Sequence, residues 1–282
     1  MARRGMYCSL AFGMGILIAV GCGPRKSPRE IEMGSNVEDA PSPAASVPAA
    51  AGDSTNAFPS IALDYPPPSD IPGIDGAETA AATDPKSASA ALNLGYAYYK
   101  SAAYSPAVEA FEKAAALSPT RPEPLLFGGQ AYMGLGTLDR ALSSFTKLTA
   151  LKNVSPDTRS TAYLQMGNCL FQQQKDKAAK AAFQKSVSLN SKQGAAKIAL
   201  GAFAALEKQP AKAKPLFEGA IRDLPSSRLR AKAYASLGLL AEQGGNPAAA
   251  LANYQKAIAD DPRSGAAIAG NERLSKKPKA AP

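Results

Sequence analysis

Residues 88–121, ASAALNLGYAYYKSAAYSPAVEAFEKAAALSPTR, carry the pattern on which the rest of the chain is built. Leu94-Gly95 and Tyr98 lie on a first amphipathic segment, a turn falls between Ser101 and Ser105, and Ala107, Phe111 and Ala114 mark a second segment that stops at Pro119. Apolar residues three and four apart read as helix, and Pro reads as a stop. The same order recurs four times. It is Phe127-Gly128-Gly129 and Tyr132 followed by Ala141, Phe145 and Leu148, then Met166-Gly167 and Leu170 followed by Ala179, Phe183 and Ser186. It returns as Leu200-Gly201 and Ala204 followed by Ala213, Phe217 and Ala220, and as Leu237-Gly238 and Ala241 followed by Ala250, Tyr254 and Ala257. The marker glycines Gly95, Gly129, Gly167, Gly201 and Gly238 stand 34, 38, 34 and 37 residues apart. The two longer intervals are expected to be loops between units, at residues 152–157 and 226–230.

This pattern resembles the tetratricopeptide repeat, a helix-turn-helix unit of about 34 residues. The resemblance implies an all-α fold: a right-handed superhelical solenoid of about five repeats, near residues 88–121, 122–155, 160–193, 194–227 and 231–264, within a domain at 86–264. A small residue such as Gly lets two helices approach, and the aromatic of the second helix fills the space between them. One unit cannot bury its own apolar face, so units stack into a continuous core. The expected repeat core is Gly95, Tyr98, Ala107, Phe111, Gly129, Tyr132, Phe145, Gly167, Phe183, Gly201, Phe217, Gly238 and Tyr254. Residues 265–282 read as a solvating cap helix, with Ala267, Ile268 and Leu274 at helical spacing, and a basic tail.

The N-terminus reads differently. Arg3 and Arg4 precede a short apolar run from Leu10 to Val20 that ends at Gly21-Cys22. A run this short falls below the roughly 20 apolar residues of a membrane-spanning helix and suits an export signal at residues 1–21. The ending resembles the lipobox of bacterial lipoproteins, with Ala19 where Leu is more usual. That resemblance implies an acylated Cys22 as the first mature residue, and Gly23 after it points toward the outer membrane. Residues 22–85 are rich in Pro, Ala, Ser and acid and lack periodicity, so a disordered linker is expected there. Residues 30–84 hold ten acidic residues and no Lys or Arg, whereas residues 85–282 hold 27 basic and 13 acidic residues. The pI near 9.4 therefore belongs to the repeat region. Its lysines, from Lys175 through Lys214, are expected to be a solvated outer face, with attraction to an anionic membrane or to the chain's own acidic linker as the functional alternative.

A catalytic inventory is missing. With no His in the chain, the commonest general base and metal ligand are both lost. Cys169 has no base to activate it and reads as a packed thiol. Gly134-Leu135-Gly136 lacks the third glycine of a nucleotide fingerprint, and Asp260-Asp261-Pro262 reads as a repeat end. No enzyme, cofactor, metal, nucleic acid or small-molecule substrate is expected.

What remains is a surface. Tetratricopeptide solenoids bind peptides on the concave side, lined by the first helix of each unit. By that resemblance the groove comprises Leu92, Tyr96, Tyr99, Leu126, Gln130, Met133, Leu164, Asn168 and Phe171. Gln165, Ile198, Ala202, Ala205, Lys232, Leu239 and Glu242 extend it. The basic carboxylate clamp of the chaperone-tail binders is lacking. The expected function is a membrane-anchored scaffold that binds a protein or peptide partner in bacterial envelope assembly (pilus, secretion or outer-membrane machinery), lipid-anchored and facing the periplasm or the outside. The alternative is an unprocessed cytoplasmic or inner-membrane regulator.

Overall fold

The computed structural model describes residues 67–276, which form twelve α-helices and, among those residues, no strand. The expected signal segment, Cys22, the linker up to residue 66 and the tail beyond residue 276 lie outside the described residues. The helices are α1 (Ile74–Thr83), α2 (Ala88–Lys100), α3 (Tyr104–Leu117), α4 (Pro122–Gly134), α5 (Leu138–Ala150) and α6 (Pro156–Gln172). They continue as α7 (Asp176–Leu189), α8 (Gly194–Leu206), α9 (Pro210–Asp223), α10 (Ser227–Gln243), α11 (Pro247–Asp260) and α12 (Gly265–Ser275). Pairs α2/α3, α4/α5, α6/α7, α8/α9 and α10/α11 are the five repeats. We call the first helix of each pair A and the second B. Starts are set locally: Ser87 Oγ accepts from Ala90 N at 3.2 Å and Ser155 Oγ from Thr158 N at 3.1 Å. Pro opens α4, α6, α9 and α11, where its missing N–H costs nothing.

Each pair is locked by one contact. The ring of Phe111, Phe145, Phe183, Phe217 or Tyr254 lies on the marker glycine of its own repeat. A Cβ at Gly95, Gly129 or Gly167 would come within 2.5 Å of a ring carbon, at Gly238 within 2.6 Å and at Gly201 within 2.7 Å. The rings are almost fully buried; Phe145 and Phe217 have no exposure. Burying each contributes about 2–3 kcal/mol. The glycines are thus required by close approach rather than by backbone conformation.

The turn within each repeat is also the same. Seven residues past the marker glycine the backbone is left-handed: Ala102, Gly136, Gln174, Lys208 and Gly245, with φ between 55° and 73°. The next residue's N–H then donates back to the A helix, as from Ala103 to the Tyr98 carbonyl at 2.9 Å and from Gln209 to the Ala204 carbonyl at 2.8 Å. This is the Schellman arrangement, which satisfies carbonyls orphaned at a helix end.

Two expectations are corrected. Of the expected loops, residues 152–155 and 226 do lie between helices, but residues 156–157 and 227–230 are helical: α6 and α10 have 17 residues where α2, α4 and α8 have 13, so the extra residues wind another helical turn. Helices α6 and α10 therefore open at Pro156 and Ser227, one turn ahead of the repeat starts expected at residues 160 and 231. An arginine eight residues before each marker glycine ties that turn to the preceding repeat. Arg159 donates to the Leu151 carbonyl at 2.6 Å and the Lys152 carbonyl at 3.1 Å. Arg230 donates to the Pro225 carbonyl at 3.2 Å and makes a bidentate pair with Asp260 at 2.9 and 3.1 Å. In the third repeat, Ser160 and Ser186, both fully buried, each donate a hydroxyl to the other's carbonyl at 2.8 Å.

The second correction concerns the linker, which was expected to run to residue 85. Residues 74–83 instead form α1, packed on α2 through buried Ala77 and Ala81. α1 stands before α2 as α3 stands before α4. Tyr98 donates to Glu78, and one repeat on Tyr132 donates to Glu112. The far end is closed by α12, as expected for the cap. Gly270 accepts the other edge of the Tyr254 ring, and Arg273 pairs with Glu242 at 2.7 Å. Glu242 also accepts from the Tyr254 hydroxyl at 3.0 Å, and burial with this bond pushes that hydroxyl up to about 12.

We predict that Gly167→Ala destabilises the protein by about 1–3 kcal/mol, because the Phe183 ring has nowhere to retreat. This exceeds the ~1 kcal/mol that Ala gains over Gly within a helix. Equilibrium denaturation checks it; unchanged or raised stability would show that the ring yields.

Candidate functional site: the face of the A helices

The A helices present three rows, counted from the marker glycine. Three residues before it stand Leu92, Leu126, Leu164 and Ile198. All are buried, between 1% and 4% exposed, so this row belongs to the core and not to an open groove. One residue after it stand Tyr96, Gln130 and Asn168, also buried, then half-buried Ala202 and Leu239. Four residues after it stand half-buried Tyr99 and Met133, exposed Phe171, buried Ala205 and half-buried Glu242.

Tyr96, expected to face the groove, packs edge-on against Phe111 at 5.6 Å and Phe127 at 4.7 Å between ring centres. Tyr98, expected in the core, is half-buried with its hydroxyl on Glu78. The two lie about 200° apart around the helix, and the inward one is fixed by Phe127 of the next repeat. The accessible strip therefore runs along the last turn of the A helices: Tyr99, Met133 and Phe171. Phe171 meets Phe203 edge-on at 5.8 Å and keeps 37% of its surface exposed. Leu135 and Leu206, 43% and 44% exposed, extend the apolar surface at the ends of α4 and α8. Both were missed in the sequence. The signal was there, since each stands five or six residues after a marker glycine, where solvent favours a polar residue.

The middle row, one residue after the marker glycine, contains an unpaired polar group. Gln130 is 4% exposed, and neither its Nε2 nor its Oε1 has a hydrogen-bond partner. Its counterpart one repeat on, Asn168, donates from Nδ2 to Gln165 Oε1 at 3.1 Å. A buried amide without partners costs about 1–3 kcal/mol per group.

Cys169 is fully buried, and burial pushes its thiol up to about 12, which holds it protonated and unreactive. Among the described residues no group of three or more His, Cys, Asp or Glu could hold a metal ion, and no helix is long and apolar enough to cross a membrane. The lysines expected to face outward do so: Lys175, Lys177, Lys185, Lys192, Lys208, Lys212 and Lys214 are exposed, and Lys180 is half-buried.

We predict that Gln130→Met, which keeps the volume and removes the amide, stabilises the isolated protein by about 1–2 kcal/mol. Thermal or denaturant unfolding measures it; a loss of stability would mean that the amide is satisfied in the unliganded protein.

Comparison with known proteins places these features in a family. One family model, described as tetratricopeptide repeat, matches residues 88–121 and 160–193, and a second of the same description matches residues 202–267. No curated protein matches the chain. Among solved structures, PilF of Pseudomonas aeruginosa is similar at a TM-score of 0.59 and 18% identity, over 71% of this chain and 86% of that one. PilW, described as a widely conserved type IV pilus biogenesis factor, is similar at 0.57 and 23%, over 69% and 87%. YrrB, described as a TPR protein with an unusual peptide-binding site, is similar at 0.50 and 20%, over 71% and 100%. Identities this low speak to the fold. The repeat matches, with five identical ring-on-glycine locks through the same stretch, show that residues 88–267 are built of tetratricopeptide repeats.

Proposed function

We propose that the protein is a membrane-anchored scaffold of a bacterial envelope that holds a protein or peptide partner against the last turns of its A helices. Tetratricopeptide-repeat proteins bind proteins or peptides; among the similar folds YrrB is described as having an unusual peptide-binding site and PilW as a type IV pilus biogenesis factor. The observation that carries the reading is the exposed ring of Phe171, at the same position of its A helix as half-buried Tyr99 and Met133 on theirs. An apolar strip suits a partner whose apolar side chains cover the rings. Chemistry is not part of the proposal.

The anchoring half rests on Cys22 at the end of the short apolar run, where thiol acylation would add roughly 0.8 kcal/mol of membrane attachment per buried CH₂. The envelope setting follows from that anchor. A role in pilus, secretion or outer-membrane assembly draws on the likeness in fold to PilW and PilF, and the chain is proposed to serve such a machine as an adaptor. An unprocessed regulator remains the second reading, favoured by nothing further in the structure.

One experiment with two arms tests this. The tagged full chain is expressed in a bacterium with a lipoprotein pathway, labelled with a fatty-acid analogue, fractionated, and used to isolate bound proteins. Wild type is predicted to carry label in the membrane fraction and to retain a defined partner. Cys22→Ala is predicted to lose the label and leave the membrane, and Phe171→Glu to lose the partner with helicity unchanged. Identical fractionation without label would overturn the anchor, and undiminished capture by Phe171→Glu would move the binding face elsewhere.

A further inference from the structure

A second site lies between the B helices α7 and α9, in a cleft of about 370 Å³. Its floor is apolar. Leu200 and Ala204 of α8 are buried there, and half-buried Leu216 of α9 packs on the same cluster as Leu200. The volume is at the lower end of the range for ligand pockets and suits an inserted side chain. Lys180 of α7 and Lys212 of α9 line the cleft together with Glu207. Glu207 already holds Lys180 at 2.5 Å. Lys212 is exposed and makes no ion pair among the described residues. The lining therefore carries one cation more than its own carboxylate neutralises. The surroundings have the same sign: residues 175–218 hold nine lysines against three acidic residues, Asp176, Glu207 and Glu218. Of these acids, Glu218 is engaged by Lys214 at 3.9 Å.

We propose that this cleft receives an acidic segment of a partner protein, with one aliphatic side chain seated on Leu200 and Leu216 and the flanking carboxylates on Lys212 and Lys180. Charge and shape together select this occupant. A simple anion would meet the lysines without using the apolar floor, and an uncharged apolar chain would leave Lys212 unpaired. A flat anionic membrane would meet the exposed lysines without reaching buried Leu200 and Ala204. Gln184 and Gln209 also line the cleft and supply amide donors and acceptors for the backbone of such a segment. Carboxylates on exposed lysines add little affinity each and mainly steer the encounter, so the aliphatic side chain is what holds the segment in place. The site is built from α7, α8 and α9 and does not rest on the partner reading for the last turns of the A helices.

The test uses the full chain purified in non-ionic detergent and a short synthetic peptide in which a leucine bearing a photoreactive diazirine stands between two pairs of glutamates. After irradiation, mass spectrometry locates the crosslinks, which are expected on the residues that line the cleft. Lys212→Glu, a change on an exposed side chain, is expected to lower them about fivefold or more. Glu207→Gln, which releases Lys180, is expected to raise them about threefold. Unlabelled peptide is expected to compete, and its counterpart with serine in place of leucine to compete about fivefold less well, as loss of aliphatic burial implies. Phe171→Glu is expected to leave the crosslinks in place, which separates a failure here from a failure of the A-helix reading. Crosslinks lost in Phe171→Glu, found away from the cleft, or indifferent to both Lys212→Glu and Glu207→Gln would overturn the proposal. So would crosslinks removed by phosphatidylglycerol in the micelles but not by excess unlabelled peptide, which would assign the face to anionic lipid.

Discussion

A ring set on a glycine is the constraint from which the rest of this fold follows. Where Phe111 covers Gly95, or Phe183 covers Gly167, there is no room for one more carbon. The contact fixes how closely A and B helices approach and which residues of each face inward. Because the interval from glycine to ring is the same in all five repeats, every pair is the same rigid unit, and a solenoid is the stacking of such units. The left-handed residue seven positions past each glycine then places the B helix at the distance the ring requires. Ala102, Gln174 and Lys208 hold that conformation without being glycine, which costs roughly 1–2 kcal/mol each. The lock outweighs that strain.

Stacking raises a second problem, since a solenoid has two ends. Here both ends reuse interior chemistry. At the start, α1 offers Glu78 to Tyr98 as α3 offers Glu112 to Tyr132. At the finish, Tyr254 is gripped between Gly238 and Gly270, with Glu242 and Arg273 tying its hydroxyl side to α12. The longer helices α6 and α10 are handled alike, by Arg159 and Arg230 reaching back to carbonyls of the preceding repeat.

Much of this was legible in the residues, because the lock is written as a spacing. A glycine, then an aromatic at one fixed interval, five times over, predicts the helix pairs and their core. Insertion length was less informative: three or four extra residues between repeats read equally as a loop or as another helical turn. Arg159 and Arg230, each eight residues before a marker glycine, were the available clue. The Pro- and acid-rich composition around α1 hid it, although Glu78 stands one repeat length before Glu112. The groove was read least well. A position on an A helix is open or closed according to what the next repeat lays on it, and Phe127 closes Tyr96 while Phe171 stays exposed. Gln130 shows the same limit, since its lack of partners is a property of packing that no local pattern encodes.

The exposed ring of Phe171 on an A helix and the exposed lysines of the B helices alike depend on the glycine locks to hold them in register. The most direct test of that dependence is a double-mutant cycle on one lock, Gly201→Ala with Phe217→Leu, followed by denaturant unfolding. If the ring and the glycine share one space, the smaller Leu relieves the added methyl. The double variant will then be more stable than the sum of the single losses predicts, by about 1–3 kcal/mol. Simple additivity of the two losses would contradict the account.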